Sequence, residues 1–230
     1  MWLKDSSIGR KFVMSLTGLA LVLFLIFHGC MNLAVVFSEE AYNTICHLLG
    51  ANWYALIGTL GLAFLVLVHF CYAIYLTLQN RAARGNDRYA VTGKKEGVEW
   101  ESENMLVLGG VVIGFLVLHL YNFWFKMQFS EIIGSNMGAF DPQDGAAYVR
   151  ELFTAPTCGT IYCLLYLVWL CALWLHLNHG VWSAMHTLGW NNLVWQKRIK
   201  VIGSVVATLA VLPFALVVLY YLGLNIGLFW

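Results

Sequence analysis

Histidine is the residue type in this 230-residue chain best placed to do chemistry, because His28, His69, His119 and His176 fall one each in four successive long apolar stretches. His179 and His186 follow in the fourth stretch, and His47 lies between the first and second. Apart from Lys126 at the end of one stretch, the interiors of these stretches hold no Asp, Glu, Lys or Arg. Ionisable groups at membrane depth are expensive and mark function by default. One buried imidazole is ordinarily a packed, hydrogen-bonded side chain. Four in series point to metal ligation, and neutral imidazole suits haem iron, zinc and copper.

Depth sorts the four into pairs. His28 lies 17 residues beyond Lys11, about 25 Å of helix at 1.5 Å per residue. His119 lies 16 residues after Glu103, in the same half of the bilayer. His69 precedes Arg81 by 12 residues, and His176 comes late in its own stretch, so both fall in the other half. His28 with His119 and His69 with His176 make two level pairs, the arrangement of two stacked bis-histidine centres. Zinc wants further ligands, and no carboxylate or clustered thiol supplies them at either level. A six-coordinate haem needs two axial nitrogens and an apolar slot between helices. Asn32, Ala73 and Gly180, one turn on from the histidines, leave room for a macrocycle, although tight helix packing explains them equally. In the run from His176 to Trp182, Gly180 opens space beside His176, which is preferred to His179 as the ligand. His179 donates a hydrogen bond or packs, and His186, near the interface, suits a propionate or quinone oxygen.

The elements that must position these residues are membrane helices. With 60% hydrophobic and 11% charged residues, and a mean hydropathy of +0.73, the chain is far from the roughly 25% charge of soluble domains. A span needs about 20 apolar residues. The sequence predicts five, at 11–37, 53–80, 104–127, 158–186 and 201–228, forming one transmembrane domain of an all-α integral membrane protein. With the N-terminus in the cytoplasm, the inner segments hold Lys4, Arg10, Lys11, Arg81, Arg84, Arg88, Lys94, Lys95, Lys197, Arg198 and Lys200, and the outer side keeps only Lys126 and Arg150. The positive-inside rule therefore orients the chain with an inner N-terminus. His69 and His176 then form the inner pair and His28 and His119 the outer pair. Arg10, Lys11, Arg81, Arg84 and Lys197 are candidates for binding propionates or a partner, beside their topological role. The inner loop 81–103 can dock a soluble partner, and the outer loop 128–157, with a short helix near 144–152, can cap the bundle.

The same residues narrow the function classes. A net charge of +1 gives no field for nucleic acid. The six cysteines contain no C-x-x-C pair, so a disulfide framework or an iron–sulfur cluster within the chain is not expected. The apolar stretch from Phe12 to Ser38 is too long for a signal h-region. No repeat or broken helix pair of the transporter kind is visible.

The pattern His176-x-x-x-Gly180-Val-Trp182, with His28-Gly-Cys-Met-Asn32-Leu in the first span, His69 in the second and His119 in the third, resembles the cytochrome b subunit of succinate dehydrogenases and fumarate reductases of the dihaem, five-helix type. The resemblance runs over about residues 8–228. It implies a membrane anchor for an iron–sulfur subunit and a flavoprotein subunit on the cytoplasmic side of a bacterial cytoplasmic membrane. It also implies two haem b groups and a bound quinone, typically menaquinone. Spans two and four would hold the haem nearer the iron–sulfur subunit, and spans one and three the distal haem. Trp174 stands where some dihaem members carry a glutamate implicated in transmembrane proton movement. Glu39 and Glu40, at the outer end of the first span, are candidates for quinol chemistry or form an ordinary solvated pair. The expectation is thus electron transfer between membrane quinone and the cytoplasmic subunits, as part of succinate dehydrogenase or fumarate reductase in the respiratory chain. The other readings are a dihaem anchor of a hydrogenase or formate dehydrogenase, and a transporter or scaffold without a cofactor.

Overall fold

The computed structural model describes residues 6–84, 100–190, 192 and 194–228. Nine α-helices and no strand occur among the described residues: α1 (Ser7–Phe37), α2 (Glu39–Leu49), α3 (Trp53–Arg84), α4 (Trp100–Glu103), α5 (Met105–His119), α6 (Gln128–Ile133), α7 (Gly145–Thr154), α8 (Gly159–Thr187) and α9 (Trp195–Asn225). Five are long and apolar enough to cross a membrane: α1, α3, α5 with the turn that continues it, α8 and α9. At 31 residues, α1 is about 46 Å long at 1.5 Å per residue. That exceeds the roughly 30 Å hydrocarbon core, so the ends project. The end of the bundle where α1 begins is called the base here, and the opposite end the cap.

Helix limits follow local chemistry. Ser6 caps α1, its Oγ accepting from the Gly9 amide at 2.9 Å. Ser38 ends α1 in an extended conformation and caps α2, accepting from the Ala41 amide at 3.1 Å, with Glu39 and Glu40 in the first turn. That satisfies an orphan amide and places negative charge at the positive end of the helix dipole. α2 was not among the expected elements, and it places Glu39 and Glu40 in a helix after the first span. Ser-Glu-Glu ahead of an amphipathic run was its sequence signal. At the base, α9 begins at Trp195 rather than 201, so Lys197, Arg198 and Lys200 lie inside the helix. The short outer helix expected near 144–152 is α7, capped by Asp144, whose Oδ1 accepts from the Ala147 amide at 3.1 Å. Lys4, Asp87, Arg88, Lys94 and Lys95, and with them most of the inner loop expected to dock a partner, lie outside the described residues.

The core is built by α8 and α9, which pack along each other and against α1; α5 lies on α8. Leu173, Leu177, Val181, Ala207, Ala210 and Val211 form its buried centre. Small residues let these backbones approach: a Cβ at Gly203 would stand 3.2 Å from that of Trp182, and one at Gly29 3.2 Å from that of Pro213. Ser204 Oγ donates to Asn178 Oδ1 at 2.6 Å, and Trp174 Nε1 to Thr208 Oγ1 at 3.0 Å. Trp174 is thus a tie between α8 and α9. The outlier is α3. Its substantial helix packing is all with α1. None of its most apolar window is buried, against 33% of the corresponding windows of α8 and α9.

The cap is polar and closely bonded. Buried Gln128 accepts from Thr59 Oγ1 at 2.8 Å and Trp124 Nε1 at 2.9 Å, and donates to the Gly50 carbonyl at 2.8 Å. Asn43 on α2 donates to Asp144 Oδ1 at 2.8 Å and accepts from the Ala146 amide at 2.9 Å. The Asn225 amide closes the end of α9 on the Phe153 carbonyl at 2.7 Å.

Candidate functional site

Two histidine pairs face each other inside the bundle. The His69 ring on α3 and the His176 ring on α8 have centroids 6.4 Å apart, with ring planes crossing at 68°. Nearer the cap, His28 on α1 and His119 at the end of α5 stand 6.0 Å apart, crossing at 84°. An imidazole nitrogen sits about 2.0 Å from a first-row metal ion and about 1.1 Å from its own ring centre, so two imidazoles on opposite sides of one ion have centroids about 6 Å apart. Among the described residues no group of three or more His, Cys, Asp or Glu converges. Each pair stands without a further protein ligand of those types among the described residues.

The second nitrogen of each ring divides the four. His69 Nδ1 lies 3.2 Å from Thr17 Oγ1 on α1. His28 Nδ1 lies 3.3 Å from Asn32 Nδ2, one turn on in the same helix. The Asn32 amide also donates to the His28 carbonyl at 2.8 Å, and its Oδ1 accepts from Tyr42 Oη at 3.0 Å. Burial holds the Tyr42 phenol protonated well above its usual range. Asn32 stands against that ring and links it to α2. His119 Nδ1 and His176 Nδ1 are buried with no hydrogen-bond partner. An unsatisfied buried polar atom of this kind costs about 1–3 kcal/mol.

The surroundings differ as well. The cap-side pair lies among aromatic rings: Phe24 stacks on His28 at 5.2 Å and Phe214 lies 5.5 Å away, while Phe123 and Trp169 stand 5.1 and 5.7 Å from His119. Beside the base-side pair stand glycines. A Cβ at Gly18 would be 3.2 Å from His69 Cε1, and one at Gly109 3.8 Å from His176 Cε1. At Gly180 a Cβ would meet nothing within 4 Å, which is open space one turn below His176. Gly18 and Gly109 escaped the sequence reading because they sit on helices other than those of the rings they admit.

The remaining sequence candidates separate from the pairs. His179 lies edge-on to Trp182 at 5.1 Å, and His186 approaches the same indole at 6.3 Å, with the Lys200 amine 5.1 Å above it. It is His176, not His179, that faces His69. Arg10 sits over the Tyr75 ring at 5.2 Å, joining α1 to α3 near the base. Glu39 forms an ion pair with Arg150 of α7, half-exposed on both sides. Glu40 lines a shallow surface hollow with Asn43, Thr44, His47, Leu48 and Gln143. Both glutamates belong to the cap surface.

Compared with known proteins, the chain matches no family profile, no curated sequence and no solved structure.

Proposed function

We propose that this chain is the dihaem cytochrome b membrane anchor of a succinate:quinone oxidoreductase, serving electron transfer between a membrane quinone and cytoplasmic iron–sulfur and flavoprotein subunits. The observation that carries the reading is the pair of facing imidazole couples at 6.0 and 6.4 Å, a separation at which both rings of a couple could hold one metal ion. The residues present fit a haem on three counts. Each level offers two imidazoles and no carboxylate, glycines flank the base-side rings, and aromatic rings line the cap-side ones.

In this reading His69 and His176 hold the haem nearer the soluble subunits, and His28 and His119 the distal one. A bound haem supplies one-electron chemistry whose potential depends on axial ligands and burial. The chain's own side chains bind, orient and keep out water. Thr17 braces one ring of the base-side pair. Phe24, Phe123, Phe214 and Trp169 shield the cap-side pair, and Arg10, Lys11, Arg81 and Lys197 offer charge for propionates near the base. His186, beside Trp182 and Lys200, suits an anionic or quinone oxygen at the interface. The partner subunits, the menaquinone-type quinone and the bacterial cytoplasmic membrane enter from the family resemblance.

The test is haem content per chain in the purified complex by the pyridine haemochrome method, followed by succinate addition to membranes. Two b haems per chain, reduced by succinate, are expected. No haem overturns the reading. Two haems that respond to formate or hydrogen but not to succinate overturn the choice of partner enzyme.

A further inference from the structure

We infer that Thr17 is a positioning residue that fixes the tautomer of His69, leaving Nε2 unprotonated and available to a metal. Thr17 is a buried side chain on α1, and its hydroxyl carries a single hydrogen. That hydrogen is committed to the backbone of its own helix, since Oγ1 lies 2.9 Å from the Val13 carbonyl and 3.1 Å from that of Met14. Back-bonding of this kind is the ordinary fate of a helical threonine. With its hydrogen so used, the oxygen meets His69 Nδ1, at 3.2 Å, with a lone pair, and the Met14 backbone is a second partner of the same ring. A hydrogen bond between them requires the proton to sit on Nδ1. A neutral imidazole has one N–H, so Nε2 is then bare, which is the ligand form.

The neighbouring residue makes the seat specific. Gly18 brings the α1 backbone so near that a Cβ would stand 3.2 Å from His69 Cε1. Since the substantial helix packing of α3 is all with α1, the orientation of His69 is set from that side. Outer groups that hold a ligating histidine fix its tautomer, raise its basicity and carry about 10–100-fold in metal affinity. That consequence rests on the dihaem reading above, whereas the tautomer does not.

The experiment uses the full-length haem-free chain, labelled with ¹⁵N-histidine and reconstituted in lipid, with the His69 signals identified by their loss in His69→Gln. Wild type is expected to show a protonated Nδ1 and a bare Nε2. Thr17→Val, similar in shape but without the hydroxyl, is expected to populate the Nε2–H form, and Thr17→Ser to restore the wild-type tautomer. A wild-type Nε2–H form overturns the inference, as does a Thr17→Val spectrum identical to wild type. If Thr17→Val does not fold, the wild-type and Thr17→Ser tautomers decide the matter. On haem loading, Thr17→Val is expected to lower retention at one of the two sites about tenfold. Equal retention at both sites overturns the role in ligation. A wild-type chain with the stated tautomer that never takes up haem overturns the dihaem reading and leaves the positioning role of Thr17 standing.

Discussion

The two histidine pairs have nearly the same ring separation, yet the molecule assembles them by different means. The cap-side pair is enclosed by aromatic rings from α1, α8, α9 and the turn that follows α5, and its polar neighbour, Asn32, comes from the same helix as His28. The base-side pair joins α8 to α3, whose substantial packing is with α1 alone, and it is braced by Thr17 across a helix boundary. Packing enthalpy spread over many atoms yields slowly to any one substitution. A seat made of one hydroxyl and one glycine yields at once. The comparison teaches that the base-side pair is fixed by few, directional contacts and the cap-side pair by many undirected ones.

The largest effect that tests this contrast comes from removing one ring of each pair. His176→Ala and His119→Ala are each expected to reduce the haem content from two per chain to one, read by haemochrome, with the untouched site keeping its spectrum. If either variant loses both haems, the pairs are not independent and the comparison breaks. Next is Gly18→Val, which pushes a branched side chain into the His69 seat. It is expected to destabilise the chain by about 1–3 kcal/mol in thermal unfolding, as overpacking does, and to disturb the base-side haem alone. A cap-side change of equal size would show that α1 transmits strain along its length. The smallest effect is that of Tyr42→Phe. Losing its hydrogen bond to Asn32 is expected to cost about 1 kcal/mol, with a change in the cap-side low-spin signal and none in the other.

The spans were legible because a run of about 20 apolar residues has few other uses, and charge at their edges set limits close to those of the helices. Which levels pair followed from depth, because helix rise converts residue number to height, and Gly180 singled out His176 over His179. What stayed hidden depends on azimuth. The approach of Thr17 to His69 joins residues 52 apart on different helices, and a helical threonine gives no sign of whether its oxygen is used twice. Nor does composition reveal that α3 stands apart, since a lipid-facing apolar surface and a helix-facing one read alike. The roles of Gly18 and Gly109 were hidden for the same reason. α2 carried a local signal in its capping serine and paired glutamates, yet the sequence expectation there was a solvated pair, not a helix.

One turn of the third span has a consequence beyond its own length. After His119 the helix takes a π-helical turn, Leu120–Trp124, in which the Phe125 amide donates to the Leu120 carbonyl at 2.8 Å. Such a turn holds one residue more than an α-turn, so every side chain beyond it is rotated by about 100° relative to an unbroken helix. An unbroken α-helix continuing the stripe of Leu108, Val112, Phe115 and His119 would bring Asn122 and then Lys126 onto the face that meets α8. The extra residue shifts the phase by one position, and the Lys126 amine lies 6.0 Å from the ring of exposed Tyr121. A single inserted residue thus acts as a phase correction that keeps a cation out of the bundle interior just past His119.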